Sequence, residues 1–372
     1  MRIVILVTSN IIKDPRILKQ AKTIISNKGE LLVVGRKDEL ANSPEFQELN
    51  FNYDLIDSAK DNLSIFGKVV ERLKFGYQLY KKTIDFKPNV IHANDFDTLL
   101  FAVCAGKKIN ARIVYDAHEI YSQNGAIAKY KIFSKLIMLV EKYLIKKVDS
   151  FITVSNAAKV YYEEKGYTKS PTVITNVPFS SSKISTFKED KFTVLYQGII
   201  SSGRGYEEFL RSSESILPDI TMLIRGYGPL KDHLIKEKKE RNLQNLKFPE
   251  AVPMSDLIFK ASEAHVGVVL TKPISGNYKY TVSNKIFEYI HAGIPVILSN
   301  VPEHKMLNEK YNFGLILNEV SPKDISNAIN YLFKNPEKYN ELKDNARKAA
   351  LELCWEKEEK KLIDLYKRER IE

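Results

Sequence analysis

The sequence predicts an α/β protein made of two doubly wound domains, each with a parallel β-sheet. Short apolar strand patterns alternate with amphipathic helix patterns in both halves of the chain. The alternation is interrupted once, over residues 178–191, which are polar and rich in serine, as expected of a linker between domains. The length of 372 residues also exceeds that of one ordinary core.

The first half begins with a continuous apolar strand over residues 3–8, a pattern typical of strands buried on both faces of a parallel sheet. Asp14 and Pro15 then open a helix, because aspartate caps free N–H groups and proline fits the first helical position. Gly29 is predicted to end that helix. Further strands are predicted at residues 31–35, 90–92, 112–116, 151–154 and 172–175, and further helices at 65–84, 98–105 and 129–147.

The second half repeats this alternation after the interruption. Ser321 and Pro322 open a helix by the same cap-and-proline logic. A highly charged helical stretch over residues 356–370 ends the chain. The predicted strands are residues 192–196, 220–225, 246–248, 266–270, 295–298 and 315–317, and the other helices are 206–216, 230–241, 255–261 and 283–292.

Open parallel sheets bind ligands beyond the carboxyl ends of their strands. Polar residues cluster at those ends in both halves, so two crevices are predicted, which we expect to face one central cleft. In the first half these residues are Ser9, Asn10, His92, Asn94, Asp95, Asp116, His118, Glu119, Ser155 and Asn156. In the second half they are Gln197, Gly198, Arg225, Gly226, Pro249, Glu250, Thr271, Lys272, Ser299 and Asn300.

The net charge of +11 is concentrated in residues 1–190, which contain 29 basic and 21 acidic residues. No zinc finger, RNA-binding aromatic strand or basic recognition helix accompanies this charge, so nucleic acid is not expected as a partner. An anionic membrane surface or an anionic acceptor fits better. The chain shows no membrane-span pattern or signal-peptide pattern, and Cys104 and Cys354 are predicted to be buried thiols, which suits the cytoplasm.

Residues 282–299 carry the most chemical information. Ser283, Asn284 and Lys285 open a predicted helix, and Glu288 lies on the same face as Lys285. Free N–H groups and a lysine suit a phosphate, and a carboxylate can hold sugar hydroxyls. The alternative is an ordinary surface helix with Ser283 as its N-cap and a Lys285–Glu288 surface pair; from this segment alone, both remain open.

A glycine-rich loop follows the predicted strand at residues 192–196. Gly198, Gly203 and Gly205 would let the backbone approach a ligand closely, and Arg204 could bind a diphosphate through a bidentate contact. The alternative is a plain turn with an exposed arginine. The presence of Lys285 in the same half favours a pair of cations.

Several other patterns are excluded or assigned structural roles. Gly226 and Gly228 lack the third glycine of a dinucleotide fingerprint, and no P-loop or nucleophile-elbow motif occurs. Asp95 and Asp97 are more simply helix N-caps than metal ligands, so no metal site is predicted. His92 is expected to be structural, whereas His118 could donate to a substrate hydroxyl. The stretch over residues 129–147 is interpreted as a core-packed helix whose basic side is available to anionic lipid.

Taken together, the chain resembles family 4 of the retaining glycosyltransferases, which have the GT-B fold. The resemblance rests on residues 14–19, 115–119, 148–155, the loop from Gly198 to Gly205, and above all residues 285–297, which together with Asn284 carry the Asn-Lys-x-Phe-Glu-Tyr version of the family motif. The chain departs from the common pattern with Tyr280 in place of a glutamate eight positions before Glu288, with Gly198-Ile199 in place of Gly-Arg, and with Ser9-Asn10 in place of a glycine pair.

The resemblance implies transfer of a hexose, with retention, from a UDP or GDP sugar to a glycan or lipid-linked acceptor in cell-surface polysaccharide synthesis, without a metal or other cofactor. The implied catalytic residues are His118, Arg204 and Lys285. The donor-binding residues are Gly198, Arg204, Gly205, Pro249, Glu250, Ser283, Asn284, Lys285 and Glu288. Those on the acceptor or sugar side are Ser9, Asn10, Asp95, Glu119 and Tyr280.

We therefore predict an acceptor-binding domain over residues 1–185, a donor-binding domain over residues 186–355, and a C-terminal helix over residues 356–372 that crosses back to the first domain. The expected location is the cytoplasm, at the inner face of the cell membrane. Two alternatives stay open: a nucleotide-sugar epimerase of similar build that uses Asp95, Asp116 or Glu119 as acid and base, and a non-catalytic partner subunit, suggested by Tyr280.

Overall fold

The computed structural model describes residues 1–37, 40–41, 43–57, 65–180 and 183–368. The chain divides into two compact units. Unit 1 comprises residues 1–176 together with the C-terminal residues from Glu358 onward, and unit 2 comprises Val177–Lys357.

Within its described residues, unit 1 contains a seven-stranded parallel sheet in the order β3-β2-β1-β4-β5-β6-β7. Its strands are β1 (Arg2–Leu6), β2 (Glu30–Arg36), β3 (Asn52–Ile56), β4 (Val90–Asn94), β5 (Arg112–Ala117), β6 (Ser150–Thr153) and β7 (Thr172–Val173). Its helices are α1 (Pro15–Ser26), α2 (Pro44–Gln47), α3 (Ile65–Phe86), α4 (Asp95–Ile109), α5 (Gly125–Ala128), α6 (Lys131–Ile145) and α7 (Asn156–Glu164).

The described part of unit 2 contains a six-stranded parallel sheet in the order β10-β9-β8-β11-β12-β13. Its strands are β8 (Phe192–Ile199), β9 (Ile220–Tyr227), β10 (Leu246–Lys247), β11 (Val266–Val269), β12 (Val296–Leu298) and β13 (Gly314–Ile316). The remaining helices are α8 (Tyr206–Ser212), α9 (Lys231–Glu240), α10 (Leu257–Ala261), α11 (Gly276–Tyr280), α12 (Asn284–His291), α13 (Pro302–Tyr311), α14 (Pro322–Lys334), α15 (Pro336–Glu352) and α16 (Trp355–Lys367).

Both sheets reverse their strand order near the middle, between β1 and β4 in unit 1 and between β8 and β11 in unit 2. Such a reversal opens a crevice at the carboxyl ends of the two strands, where doubly wound sheets bind ligands. The predicted fold class of two doubly wound parallel sheets is confirmed.

The predicted helix starts are confirmed by their caps. The Asp14 side chain accepts hydrogen bonds from the backbone N–H groups of Arg16 and Ile17, and Ser321 accepts one from Asp324. The end of α1 differs from the prediction, because the left-handed residue is Lys28 and not Gly29. Gly29 is needed for close packing instead, since a Cβ there would lie 2.7 Å from Ile24 Cγ2.

Other elements also differ from the prediction. Strand β3 and helices α2, α5, α7, α11, α13 and α15 were not predicted, and the helix predicted over residues 129–147 corresponds to α6, which begins at Lys131 and ends at Ile145. Cys354 is buried as expected, but Cys104 on α4 is exposed. The predicted linker has neither helix nor strand over residues 178–180 and 183–191, while residues 181–182 lie outside the described residues, as do residues 369–372 of the predicted charged tail.

Helix α16 begins in unit 2, and its residues from Glu358 onward belong to unit 1. There the Arg112 guanidinium donates hydrogen bonds to the carbonyl oxygens of Leu365 and Tyr366, at 2.6 and 2.9 Å. These bonds tie the end of the chain to β5. No helix among the described residues is long and apolar enough to cross a membrane.

Candidate functional site

Helix α12 is positioned by its buried apolar face and by one glycine on the sheet beneath it. Gly267 in β11 has no side chain, and a Cβ there would lie 2.3 Å from the Tyr289 ring, so the glycine allows that ring to lie directly on the strand. The buried Tyr289 hydroxyl then accepts a hydrogen bond from the backbone N–H of Gln197, at 2.9 Å. This contact fixes α12 beside the carboxyl end of β8.

The structure brings Lys285 and Glu288 to that strand end. The Gln197 side-chain amide donates a hydrogen bond to the Glu288 carboxylate at 2.8 Å. Lys285 lies over Gly198, because a Cβ at position 198 would be 2.4 Å from Lys285 Cε and 2.9 Å from its Nζ. The absence of a side chain at Gly198 therefore creates the space that the lysine occupies.

Arg204 lies near enough to change the ionisation of Lys285. The pKa of the half-buried Lys285 ammonium is lowered to about 8, first by burial and then by the positive charge of Arg204, while Glu288 opposes the shift. Two cations are thus held together at the end of β8. An anion bound between them would relieve their repulsion and restore the full charge of the lysine.

The loop that carries Arg204 is held by backbone and ring contacts. The Tyr196 hydroxyl donates to the carbonyl oxygen of Arg204, and Gly205 takes the left-handed conformation at the start of α8. The Arg204 guanidinium lies 4.9 Å from the ring centroid of Tyr278 on α11. Neither Tyr278 nor Gln197 was predicted as a site residue. Tyr278 was missed because α11, the helix that carries it, was not predicted. The only sequence signal for Gln197 was its position at the end of a predicted strand.

The other predicted donor residues are less closely tied to this cluster. Ser283 is the N-cap residue of α12, as in the surface-helix alternative, but its side chain forms no cap hydrogen bond with the helix, and Asn284 is exposed. Pro249 and Glu250 follow β10, which is separated from β8 by β9. Tyr280 is the last residue of α11 and is half-buried.

In unit 1, the polar residues at the strand ends are organised around the buried carboxylate of Asp116. It accepts two hydrogen bonds from the Arg16 guanidinium, at 2.7 and 2.8 Å, one from Gln20 at 2.7 Å, and one from His92 Nε2 at 3.2 Å. Burial opposes ionisation, but Arg16 and the neighbouring histidines hold the Asp116 pKa well below its usual range. Arg16 was missed as a site residue; it lies on the polar side of α1 with Lys19 and Thr23, and its signal was its place in the segment 14–19 that carries the family resemblance.

His92 completes the buried side of this cluster. Tyr366 lies 2.7 Å from His92 Nδ1, and burial lowers the pKa of the imidazole. A neutral ring that donates from Nε2 to Asp116 can accept at Nδ1 from the Tyr366 hydroxyl. This arrangement agrees with the structural role predicted for His92.

His118 lies at the open side of the same cluster. Its Nε2 is 3.0 Å from the amide oxygen of Asn94, its Nδ1 is 3.5 Å from Asp95 Oδ2, and its backbone N–H donates to Asp95 Oδ1 at 3.0 Å. Burial disfavours the charged ring, but the carboxylates of Asp95 and Asp116 raise the His118 pKa to about 9. The side chain is therefore an imidazolium at neutral pH.

The predicted N-cap role of Asp95 and Asp97 is wrong. The N-cap of α4 is Asn94, and not Asp95 or Asp97. Asp95 is the first residue of the helix and has a left-handed backbone conformation, with φ of 59°. Asp97 accepts a hydrogen bond from the Tyr121 hydroxyl. Burial raises the Asp95 pKa to about 6, with Glu119 adding to the shift and His118 opposing it. A strained aspartate beside an imidazolium is an arrangement found at functional sites.

The remaining residues predicted for the acceptor side shape loops. The Asn10 side-chain oxygen accepts from the N–H groups of Ile12 and Lys13, at 2.9 and 3.2 Å, and Ser9 Oγ donates to Asp14 at 3.4 Å. Glu119 is exposed and accepts from Asn124. Asn94 also donates to the carbonyl oxygen of Leu6 at 3.2 Å, which links the ends of β1 and β4.

Comparison with known proteins adds independent information. A family model described as Glycosyltransferase Family 4 matches residues 30–177, and one described as Glycosyl transferases group 1 matches residues 179–349. An uncharacterized glycosyltransferase of Haemophilus influenzae is 22% identical over 265 residues, which cover 67% of this chain and 68% of that protein. A chitobiosyldiphosphodolichol beta-mannosyltransferase of Candida glabrata is 26% identical over 164 residues, or 41% of this chain and 33% of that protein.

Solved structures share the fold over almost the whole chain. HepE of Anabaena, in complex with UDP and glucose, has a TM-score of 0.78 at 15% identity and covers 98% of this chain and 99% of its own. Sucrose-phosphate synthase of Thermosynechococcus elongatus has a TM-score of 0.79 at 16% identity, with 98% of each chain covered. Together, the two family models and the shared architecture support a glycosyltransferase of the GT-B fold.

Proposed function

We propose that unit 2 binds a nucleoside diphosphate sugar, with UDP or GDP as the nucleotide, and that the enzyme transfers the sugar with retention to a glycan or lipid-linked acceptor in cell-surface polysaccharide synthesis. The observation that carries the proposal is the cluster of Lys285, Arg204 and Glu288 around the end of β8, with the lysine seated over Gly198. The presence of UDP in the HepE complexes supports the choice of ligand class.

In this proposal, the two cations bind the diphosphate. Negative charge builds up on the leaving diphosphate as the sugar departs, and preorganised cations stabilise that charge without reorganising. Lys285 and Arg204, with the free N–H groups at the start of α12, would supply this stabilisation. Glu288 would accept hydrogen bonds from the ribose hydroxyls while Gln197 holds it in place, and Pro249 and Glu250 would lie on the side of the base.

His118 is proposed to position the transferred hexose. Its imidazolium can donate hydrogen bonds but cannot accept one. Because both ring nitrogens already have acceptors in Asn94 and Asp95, a sugar hydroxyl would replace one of these as the acceptor. The Arg16–Asp116 pair would keep the ring in position. We assign no enzyme nucleophile, since no side chain is marked for that role.

The proposal includes metal-independent transfer, because the charge on the diphosphate would be met by Arg204 and Lys285. It places the enzyme in the cytoplasm, with the basic N-terminal unit in contact with the anionic inner face of the cell membrane. That contact would bring the enzyme to a lipid-linked acceptor.

Thermal unfolding with UDP, GDP and their sugars tests donor binding, because a ligand that binds the folded state raises its apparent stability. We expect one nucleotide to raise the Tm of the wild type. In Lys285→Ala and in Glu288→Ala this rise in Tm should be lost, and transfer activity should fall by at least about 100-fold, as for loss of a charge-stabilising group. Lys348→Ala, an exposed lysine of α15, is the matched control and should behave as the wild type. Normal donor binding and transfer by both site variants would refute the assignment.

The two alternatives predict different results. An epimerase needs an available acid and base, but the buried Asp116 carboxylate is engaged by Arg16, Gln20 and His92, and its pKa is held well below its usual range. Asp95 and Glu119 are left for those roles. Epimerised donor formed without acceptor would favour that enzyme. A non-catalytic partner subunit would show no stabilisation by any nucleotide or nucleotide sugar.

A further inference from the structure

Helix α6 carries apolar side chains on its solvent-exposed surface. The sequence pattern predicted that they face the core, but Ile132 is 88% exposed and Leu136 is 55% exposed. Only Ile137, Leu144 and Ile145 are buried among the apolar residues assigned to that core face. The exposed apolar stripe consists of Ile132, Phe133, Leu136, Leu139, Val140 and Tyr143.

These six residues form a continuous stripe. At about 100° per residue, they fall within an arc of about 120° on the helix surface. The opposite face is fixed to the core, because the buried Glu141 carboxylate accepts hydrogen bonds from Tyr115 and Tyr167, at 2.7 and 2.6 Å. Since rotation of α6 would break both bonds, the helix cannot turn to bury the stripe.

Lysines border the stripe on one side. Lys131, Lys135, Lys142 and Lys146 follow one another at helical spacing between the exposed stripe and the core face. Glu141, the one acidic residue of α6, is buried and its pKa is raised to about 7, first by that burial. A pocket of about 360 Å³ opens beside this row, lined by Lys131, Lys135 and Lys165.

Neighbouring helices of unit 1 also expose apolar side chains. Helix α4 packs against both α3 and α6. It exposes Leu100, and α3 exposes Val69, Leu73 and Tyr77, the last at 63%. The apolar exposure is therefore a property of several adjacent helices and not of one misplaced side chain.

We propose that the α6 stripe docks onto an anionic lipid bilayer. Its apolar side chains would enter the boundary between headgroups and acyl chains, while the lysine row and the pocket beside it would contact lipid phosphates. This specifies the surface for the membrane contact in the proposed function, but it does not depend on the donor site. A second copy of the chain is a poorer occupant, because a two-fold interface would bring the same lysine row against itself.

Sedimentation with vesicles tests the proposal. The full chain is mixed with phosphatidylcholine vesicles that either contain or lack phosphatidylglycerol, at low and high salt. We expect binding only to the anionic vesicles and weaker binding at high salt. The double variant Leu136→Ser/Leu139→Ser should bind at least about tenfold more weakly, through lost apolar burial. Lys131→Gln/Lys135→Gln should bind about 25-fold more weakly, at about fivefold per lysine.

Leu351→Ser is the matched control, since Leu351 on α15 is 67% exposed but lies in unit 2, and it should bind as the wild type. Circular dichroism and the Tm rise with nucleotide should be unchanged in all variants, which separates loss of docking from loss of folding or of the donor site. Equal binding to neutral vesicles, no binding at all, or wild-type binding by the Leu136→Ser/Leu139→Ser variant would overturn the proposal. A dimer in light scattering that this variant dissociates would do the same, in favour of a second copy.

Discussion

At the scale of single residues, the candidate donor site depends on a glycine, Gly198, which has no side chain to fill the space beside it. Gly198 has a φ of 118°, which side-chain-bearing residues rarely adopt, and it leaves room for the Lys285 ammonium. The lysine in turn has its pKa lowered to about 8, first by burial and then by Arg204. Backbone conformation and side-chain ionisation are therefore coupled at this position.

Gly198→Ala should weaken donor binding by about tenfold or more, because its Cβ would displace Lys285 and the left-handed backbone adds about 1–2 kcal/mol of strain. Calorimetric titration with the nucleotide that stabilises the wild type measures the loss. Gly125→Ala is the control, since a Cβ at Gly125 meets no atom within 4 Å. Donor affinity equal to that of the wild type would show that Lys285 does not need this space.

Donor affinity should fall as pH rises through about 8, where free Lys285 loses its proton. Binding of an anion favours the ammonium, so the complex should take up a proton near that pH. Calorimetry in buffers of different ionisation enthalpy detects the uptake. Lys285→Arg should abolish both effects, because arginine stays protonated in this range; a pH dependence unchanged in that variant would assign it to another group.

At the scale of elements, a buried ion pair joins α1 to the sheet of unit 1. Arg16 binds Asp116 at the end of β5, and its remaining nitrogen donates to the carbonyl oxygen of Ile174, just after β7, at 2.8 Å. Both side chains are almost fully buried. The pair thus sets the position of α1 relative to β5 and β7, and it supports the ring of His118 through Asp116.

Arg16→Ala should destabilise the protein by about 3–5 kcal/mol, because it leaves the buried carboxylate of Asp116 without compensation. Chemical denaturation measures the loss. The control Arg347→Ala removes an exposed ion pair with Asp344 and should cost no more than about 1 kcal/mol. A cost equally small for both variants would mean that Asp116 finds another partner or takes up a proton.

At the scale of the whole molecule, two separate parallel sheets each provide a strand-order reversal with charged residues at its edge. In unit 2 those charges are two cations and a carboxylate, and in unit 1 they are an imidazolium between aspartates. Protein cations that meet a diphosphate do the work for which other enzymes use a bound metal ion.

Sugar transfer should therefore continue when divalent metal ions are removed from the solution. We expect the rate with EDTA in excess, after dialysis against chelator, to stay within about twofold of the untreated enzyme, a difference of less than about 0.5 kcal/mol in activation free energy. The assay is transfer of labelled sugar to a lipid-linked acceptor. Loss of activity that Mg²⁺ or Mn²⁺ restores would contradict metal-independent transfer.

The sequence by itself determined the two doubly wound sheets, the caps at Asp14 and Ser321, and the strand ends where polar residues cluster. These features follow from periodicity and from capping, which act between residues close in the chain. Only the tertiary structure decided that Lys285 lies over Gly198, that Arg16 pairs with Asp116 one hundred residues away, and that the α6 stripe faces outward. Such contacts depend on how distant segments pack, and an amphipathic pattern with two apolar faces does not specify which face the core will bury.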